Sequence, residues 1–255
     1  MPPSPSPDGA DRRLMASLLP PQVVARESWG EWEDDWRRAL FPVEARVVEG
    51  AMDKRRREFA GVRVQARRAL RVLGVAPAPL LPGPRGEPAW PAGIVGAMTH
   101  CTGYRAAAVA RAGAGVAAVG IDAEPHARLS PEVLEMVAGS RERDRLRLLA
   151  GRRPEVSWGC LLFSAKETVF KAWYPLARSE LGFLEAEVDL WPDGDGRAGG
   201  FSAAVARAGP FAAVSGRWRV AGGVVATALA VRAPAAAVPE PGGPPARLTL
   251  DTTEG

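Results

Sequence analysis

Residues 104–125 read YRAAAVARAGAGVAAVGIDAEP, two apolar runs with a glycine-containing break between them. Short apolar runs bounded by turn residues are typical of buried β-strands, so residues 104–111 and 115–124 predict two strands. The tight turn at residues 113–115 predicts that these strands pair as a hairpin. This hairpin would lie near the middle of the chain, with further helical and strand patterns on both sides.

The patterns on either side of the hairpin predict the fold class. Residues 44–73 hold apolar side chains at helical spacing and a second face crowded with Lys and Arg, which predicts one long amphipathic helix. Residues 131–149 and 163–176 predict helices, the second ended by Pro175, and residues 218–232 predict a terminal strand pair. We therefore predict an α+β fold with two pseudo-symmetric halves, each an antiparallel sheet packed with helices.

The two halves are predicted to meet within the second strand of the hairpin. The N-terminal half would comprise residues 14–118 and the C-terminal half residues 119–232. Residues 1–13 and 233–255 are rich in Pro and poor in large apolar side chains. Such segments cannot bury enough surface to become ordered, so both ends of the chain are predicted to be disordered tails.

Composition limits the class of protein. The 255 residues are 47% hydrophobic, which is ample for a packed core, and no apolar run reaches the length of a membrane span. The first residues lack the apolar segment of a signal peptide, so we expect a soluble, cytoplasmic protein. Two Cys and two His leave little room for disulfides or zinc. The net charge of +4 favours an anionic partner, whether nucleic acid, a phosphorylated cofactor or an acidic protein.

Asp122 and Glu124 close the second predicted strand. Successive side chains in a strand alternate faces, so these two carboxylates project to the same side with Cα atoms about 6.6 Å apart. Two carboxylates in this arrangement can hold one hard cation such as Mg²⁺, which completes its coordination with water and phosphate oxygens. A strand end that runs into a solvated turn is the other interpretation of the same spacing.

Glu167 lies in the apolar stripe of the helix predicted over residues 163–176. A carboxylate in such a stripe is unfavourable unless it is paired or ligated. Lys171 lies one turn beyond it, and an i, i+4 ion pair worth about 0.3–0.5 kcal/mol would account for the pair. Together with Lys166, the segment offers two ammonium groups and one carboxylate, which suits the binding of phosphates around a metal ion.

His100 lies in GAMTHCTGYR (residues 96–105) and follows Thr99 at the point where a loop is predicted to give way to a strand. An ordinary polar histidine would explain this residue equally well.

Four segments in this order resemble the motifs of the 4′-phosphopantetheinyl transferase superfamily: KRRREFAGVRVQAR, GAMTHC, VGIDAEP and FSAKETVFKAW. The resemblance covers roughly residues 54–232. It is to the larger, single-chain type with two pseudo-repeated halves, and within that type to the actinobacterial enzymes. It implies Mg²⁺-dependent transfer of the phosphopantetheine arm of coenzyme A to a serine hydroxyl of an apo acyl or peptidyl carrier protein, with release of adenosine 3′,5′-bisphosphate.

The resemblance also implies roles for individual residues. Asp122, Glu124 and Glu167 match the ligands of Mg²⁺, or of Mn²⁺ in its place. Glu167, Lys171 and Asp122 would be the catalytic residues, with Glu167, directly or through a water, the favoured general base for the serine; Lys171 and a metal-bound water are the alternatives. Coenzyme A would be bound by Arg55, Arg63, Arg85, Thr99, His100, Lys166 and Lys171.

The sequence departs from the family pattern at two positions in the expected coenzyme A site. Ala97 stands where the family usually has Ser, which removes one hydroxyl contact. Pro82 stands where close relatives carry a basic residue, so Arg85 is the only obvious cation of its loop.

Two other classes of protein compete with the transferase. A nucleic-acid-binding protein would use the Arg-rich helix to follow a phosphate backbone, but it has no use for Glu167 in an apolar stripe. A magnesium nuclease would use the carboxylates but would not need the His100 loop and the Arg-rich helix together.

We expect no nucleic acid and no membrane partner, and pseudo-symmetry within one chain predicts a monomer. The basic segment 141–153 would complement an acidic carrier protein, or form a solvated helical face.

Overall fold

The computed structural model describes residues 13–233. The predicted disordered tails lie outside these residues, apart from residues 13 and 233 themselves. Among residues 13–233 no helix is both long enough and apolar enough to cross a membrane. The architecture is α+β with two antiparallel sheets packed with helices, which confirms the predicted fold class.

The first sheet has three antiparallel strands in the order β1-β3-β2. The strands are β1 (Val24–Trp29), β2 (Ile94–Cys101) and β3 (Tyr104–Arg111). The 20-residue helix α3 (Asp53–Val72) packs against this sheet through Ala66, Ala69 and Leu70, which are fully or almost fully buried. Strand β1 is reached through a 3₁₀ turn, Met15–Leu18.

The predicted helix over residues 44–73 is two helices, so that prediction is wrong in its extent. The short helix α1 (Trp36–Ala39) is followed by α2 (Pro42–Val48), and α3 starts only at Asp53. The break over residues 49–52 turns the chain so that Glu44 of α2, fully buried, contacts α3 from the side. Periodicity continued across the break because both helices bury an apolar face against the same cluster.

The second sheet has five antiparallel strands in the order β4-β8-β7-β6-β5. The strands are β4 (Val116–Pro125), β5 (Ala186–Pro192), β6 (Ala198–Val205), β7 (Ala213–Ala221) and β8 (Val224–Arg232). β7 and β8 are joined by Gly222 and Gly223, both at positive φ, which confirms the predicted terminal strand pair. β4 runs through the predicted boundary between residues 118 and 119.

The predicted hairpin of β3 and β4 does not form. β3 pairs with β1 and β2, whereas β4 pairs with β8, so residues 112–115 lead from one sheet to the other. A turn signal fixes a change of chain direction but not the partner of the next strand. The two sheets meet where β2 lies beside β4, and a shared core of small side chains fills the seam.

Helix α6 (Trp158–Ala177) covers β4 and β8 in the second half. It begins earlier and ends later than predicted, with Pro175 inside its last turn rather than at its end. Gly120 of β4 permits this packing, because a Cβ atom there would lie 2.0 Å from the Thr168 carbonyl oxygen. The helical segment predicted over residues 131–149 is present as α4 (Pro131–Val137) and α5 (Ser140–Arg152).

Candidate functional site

A cleft of about 770 Å³ lies between the two halves. Its walls come from α3, the loop 83–90, β2, the start of β4 and the C-terminal part of α6. The charged side chains on these walls are Arg55, Arg63, Arg85, Lys171, Arg178, Glu87 and Glu167, with His100 beside them. Cations therefore outnumber carboxylates among the described lining residues, so the cleft suits a multiply charged anion.

Asp122 on β4 is held in one orientation. It is 3% exposed, and its Oδ1 accepts hydrogen bonds from Lys171 Nζ (2.6 Å) and Thr99 Oγ1 (3.3 Å). Its Oδ2 is buried and has no hydrogen-bond partner among residues 13–233. A buried carboxylate oxygen without a partner is costly, so a ligand that supplies positive charge at Oδ2 would stabilise this arrangement.

Thr99 supports Asp122 rather than facing the cleft. The residue is 4% exposed, and its Oγ1 also accepts a hydrogen bond from Ala123 N–H (3.0 Å). The same hydroxyl therefore ties β2 to β4 and orients the Asp122 carboxylate. The predicted contact of the Thr99 side chain with coenzyme A does not fit this placement, because the residue is buried, does not line the cleft and donates its hydroxyl proton to Asp122.

Two further carboxylates stand near Asp122. Burial, together with Asp122, raises the pKa of Glu124 to about 7. Burial also raises the pKa of Glu167, with a further contribution from Asp122 and an opposing one from Lys171. Carboxylates that repel one another in a partly dry site favour a bound cation.

The carboxylates around Asp122 are the candidate ligands for a divalent cation. Within the described part of the chain, no group of three or more His, Cys, Asp or Glu side chains is already arranged as a metal site. The unpartnered Asp122 Oδ2, with the carboxylates of Glu124 and Glu167 nearby, nevertheless offers the all-oxygen ligands that Mg²⁺ prefers. These residues therefore fit the predicted metal.

Lys171 carries a positive charge on the α6 wall of the cleft. Burial alone would lower the pKa of its ammonium group, but Asp122 above all, and then Glu167 and Glu124, together raise the pKa above its usual value. The side chain is therefore protonated at neutral pH. Because it lines the cleft while bonded to Asp122, it can also contact an anion bound there.

His100 lies within β2, not in a loop, and lines the cleft beside α3. Its Nε2 is 3.2 Å from Arg55 Nη1, and its Nδ1 is 3.9 Å from the Glu58 carboxylate. Burial lowers the pKa of His100, helped by the positive charges of Arg55 and Lys171 and opposed by Glu58. A neutral imidazole next to an exposed guanidinium leaves both side chains able to contact a phosphate from one side.

Arg63 lines the cleft, and hydrogen bonds to backbone carbonyl oxygens hold its side chain in place. It is 5% exposed and donates to the carbonyl oxygens of Leu80 (2.8 Å, from Nε) and Phe59 (3.3 Å, from Nη1). Burial lowers its pKa to about 10, and the Glu44 carboxylate, 3.8 Å away, opposes that effect. Arg67 also binds Glu44, at 3.0 Å. Two arginines of α3 therefore point inward to one carboxylate rather than outward to solvent.

Lys166 does not reach the cleft, so its predicted contact with a coenzyme A phosphate does not fit the structure. Its Nζ donates to Glu142 (2.9 Å) and to the carbonyl oxygens of Phe183 (2.6 Å) and Ala186 (2.9 Å), and the residue is 3% exposed. The physical reason is the position of its partners: Lys166 lies on the side of α6 that faces Glu142 and the start of β5, whereas Glu167, Phe170 and Lys171 lie on the side that faces the cleft.

Three residues near the site were missed from the sequence. Glu142 was treated as part of a solvated basic segment, although its position three residues after Gly139 matches a helix-capping carboxylate. Glu58 is not among the predicted site residues, although on α3 its carboxylate lies 4.0 Å from Lys54 Nζ and 3.9 Å from His100 Nδ1. Arg178 occupies the C-cap of α6 and lines the cleft, and it carries no sequence signal because its backbone conformation is unusual for Arg.

Comparisons with known proteins agree with the site. Residues 43–110 match the 4′-phosphopantetheinyl transferase N-terminal domain family, and residues 118–223 match the 4′-phosphopantetheinyl transferase superfamily. Together the two matches cover both walls of the cleft.

Three relatives from actinobacteria match along almost their whole length. The 4′-phosphopantetheinyl transferase Svp of Streptomyces mobaraensis is 51% identical over 233 residues, which is 89% of this chain and 93% of the relative. The 4′-phosphopantetheinyl transferase PptT of Mycobacterium tuberculosis is 42% identical over 85% of this chain and 97% of the relative. The transferase Npt of Nocardia iowensis is 39% identical over 85% and 99%. With the motifs in register, the cleft between two halves and these matches, the chain belongs to the 4′-phosphopantetheinyl transferase superfamily.

Proposed function

We propose that the protein transfers the 4′-phosphopantetheine moiety of coenzyme A to a serine of an apo acyl or peptidyl carrier protein. In this reaction the serine oxygen forms a bond to the phosphorus that bears the pantetheine arm. The bond from that phosphorus to the bridging oxygen of the pyrophosphate breaks, and adenosine 3′,5′-bisphosphate leaves. The serine proton is taken up by a base on the enzyme.

The observation that carries this proposal is the buried, unpartnered Asp122 Oδ2 beside Lys171, whose side chain lines a cleft with mainly cationic walls. Asp122, Glu124 and Glu167 would hold Mg²⁺. The ion, when bound, would neutralise negative charge on the pyrophosphate.

The chain's own residues supply the positioning and the proton transfer. Lys171 would hold a phosphate oxygen near Asp122, since its ammonium group is protonated and faces the cleft. Glu167 would accept the serine proton, directly or through a water, because its carboxylate lines the cleft in which the reacting groups would lie. His100 and Arg55 would contact the nucleotide part of coenzyme A from the α3 side. Most of the rate enhancement would come from such positioning and charge.

The carrier protein is proposed to approach near the basic segment of α5. The structure compensates much of the charge on this segment. Arg145 binds Glu187 at 3.0 Å and Asp189 at 3.6 Å, and Arg147 binds Asp144. Electrostatic steering of an acidic carrier would therefore be modest. Raising the salt concentration should therefore weaken the association of the enzyme with the carrier protein more than it weakens the binding of coenzyme A.

The cytoplasmic location and the monomeric state expected from the sequence remain predictions.

The direct test is to incubate the protein with coenzyme A, Mg²⁺ and apo acyl or peptidyl carrier domains, and to weigh the carrier by mass spectrometry. The expected result is the gain of one phosphopantetheine, abolished by excess EDTA and by replacement of the carrier serine with Ala. A folded protein that binds coenzyme A but modifies none of several carriers would refute the proposal. Turnover that persists in excess EDTA would refute the metal site.

A further inference from the structure

Arg178 has a backbone conformation that an arginine seldom adopts. It is the C-cap residue of α6, with φ 53° and ψ 26°, and it is the one residue other than glycine at positive φ within residues 13–233. Helices that end in this left-handed conformation usually carry Gly there, sometimes Asn, because a Cβ atom is unfavourable at positive φ. An arginine at this position is therefore unexpected unless its side chain has a use.

The side chain of Arg178 lines the cleft and reaches across it. Its Nη1 lies 3.7 Å from the carboxylate of Glu87, which belongs to the loop 83–90 of the first half. A reciprocal pair runs in the other direction, since Arg85 of the same loop binds Glu180, two residues after Arg178. Each half thus contributes one cation and one carboxylate to the same edge of the cleft.

The loop that carries Arg85 and Glu87 is ordered by its own hydrogen bonds. Gly83 N–H donates to the Glu87 carbonyl oxygen (2.6 Å), and Ala89 N–H donates to that of Leu81 (2.8 Å). The Glu87 carboxylate also accepts a hydrogen bond from Arg85 N–H (2.9 Å). The loop therefore presents Arg85 and Glu87 to α6 in a fixed arrangement.

The two ion pairs are weakly held. The side chains of Arg178, Arg85 and Glu180 are more than half exposed, so solvent screens these contacts strongly. A phosphate monoester, with nearly two negative charges and three acceptor oxygens, is a stronger partner for a guanidinium than an exposed carboxylate. A phosphate that enters the cleft would therefore displace the carboxylates from both arginines.

The position of Arg178 along α6 indicates which phosphate it would meet. Lys171 stands beside Asp122, where the reacting pyrophosphate would lie, and Arg178 follows it by seven residues, or roughly 10 Å along the helix axis. Coenzyme A carries one more phosphate, the 3′-phosphate on the ribose, at a distance from the pyrophosphate. Arg178 and Arg85 bring two guanidinium groups to one edge of the cleft, which suits a second phosphate separate from the one beside Lys171.

We propose, on the basis of the function proposed above, that Arg178 is a further binding residue for the 3′-phosphate of coenzyme A. In the free protein Glu87 holds the Arg178 side chain at the rim of the cleft, and the 3′-phosphate replaces Glu87 on binding. Arg178 acts as the counterpart of Arg85 from the opposite half.

The test compares wild type, Arg178→Gly and Arg178→Lys by calorimetric titration with coenzyme A and with dephospho-coenzyme A, which lacks the 3′-phosphate. Arg178→Gly should weaken coenzyme A binding by about five- to tenfold, the loss of one charge-assisted contact. Its dephospho-coenzyme A binding should stay within about twofold of wild type, because the group that Arg178 contacts is absent. Arg178→Lys should keep most of the affinity. Arg38→Ala, which removes a surface cation on α1 that is 91% exposed, is the matched control and should bind both compounds as wild type does.

Two more readouts separate a binding role from a structural one. Arg178→Gly should unfold at the same temperature as wild type or at a higher one, because Gly adopts the left-handed conformation without strain. Glu87→Gln keeps an acceptor for Arg85 N–H but removes the ion pair between Glu87 and Arg178. It should bind coenzyme A about twofold more tightly, because Arg178 no longer has to leave that ion pair on binding.

Unchanged coenzyme A binding by Arg178→Gly, or an equal loss for the two compounds, would overturn the proposal while leaving the transferase function intact. Weaker binding by Glu87→Gln would overturn the role given to Glu87. If wild type bound neither compound, the proposed function itself would fail and this inference with it.

Discussion

Replacement of Lys166 by Met gives the sharpest separation between a structural and a substrate-binding lysine. The Lys166 ammonium group donates to three acceptors in the second half and none of them lies in the cleft. Glu142, its ionic partner, is 3% exposed and also accepts from the N–H groups of Gly139 and Val188, each at 2.7 Å. Lys166 therefore joins α6 to α5 and to the start of β5.

The expected cost follows from burial. Removing one partner of a buried ion pair costs about 3–5 kcal/mol, since the other charge is left uncompensated. The two backbone donors that remain on Glu142 favour the lower end, about 3 kcal/mol. For a domain of this size each kcal/mol lowers the melting temperature by about 2–4 °C, so Lys166→Met should melt about 6–12 °C below wild type. The dissociation constant for coenzyme A, measured well below that temperature, should change by less than about twofold.

Thermal unfolding and calorimetric titration on the same preparations would test this reasoning. The double variant Lys166→Met/Glu142→Gln is the internal check, because Gln removes the isolated charge. Its single amide oxygen keeps an acceptor for only one of the two backbone N–H groups, which bind different oxygens of Glu142. The double variant should recover part of the lost stability. A Lys166→Met protein with the melting temperature of wild type and a coenzyme A affinity reduced tenfold or more would refute the structural role and restore the phosphate-binding one.

Four further changes test the site and the packing that supports it. Thr99→Val removes a group that only orients a ligand residue, and it should lower kcat by about 10–100-fold. Asp122→Asn alters the ligand residue itself and should lower kcat by more than about 100-fold. Both values are measured by carrier modification at saturating substrate. Arg55→Ala should raise the coenzyme A KM more than it lowers kcat in steady-state kinetics, because a remote phosphate contact is largely uniform binding. Gly120→Ala should lower the melting temperature or prevent folding, because its Cβ would lie 2.0 Å from the Thr168 carbonyl oxygen.

The sequence was informative wherever a side chain's neighbours lie on the same element. The apolar stripe of α6 places Glu167 and Lys171 on one side, and strand alternation places Asp122 on the face that meets them. The structure brings Asp122 and Lys171 to 2.6 Å, although they are 49 residues apart in the chain. The periodicity of each element could not predict the contact between Asp122 and Lys171, although both residues were predicted as site residues.

Features that depend on distant partners were not predictable. The hairpin of β3 and β4 was inferred from a turn, yet the partner of β4 is β8, about 100 residues later. Lys166 was assigned to the cleft because it adjoins Glu167, whereas its orientation is set by Glu142, 24 residues earlier. Arg178 was identified only from its positive φ in the structure, because residue propensities do not predict a left-handed backbone conformation for an arginine.

The position of the site on the seam links its chemistry to the stability of the whole molecule. Thr99 of β2 holds Asp122 of β4, and the core between the sheets includes Ala97 and Ala108 from one side and Ala123 from the other. Side chains this small let the two strands approach closely, but each contributes little burial of its own. Each half supplies one of the two hydrogen bonds that orient the Asp122 carboxylate, Thr99 from the N-terminal half and Lys171 from the C-terminal half. Binding across the seam should therefore stabilise both halves together, by about 2.7 kcal/mol at a ligand concentration one hundred times its dissociation constant. Coenzyme A should accordingly shift a single unfolding transition upward, and two transitions of which it moved only one would show that the halves fold independently.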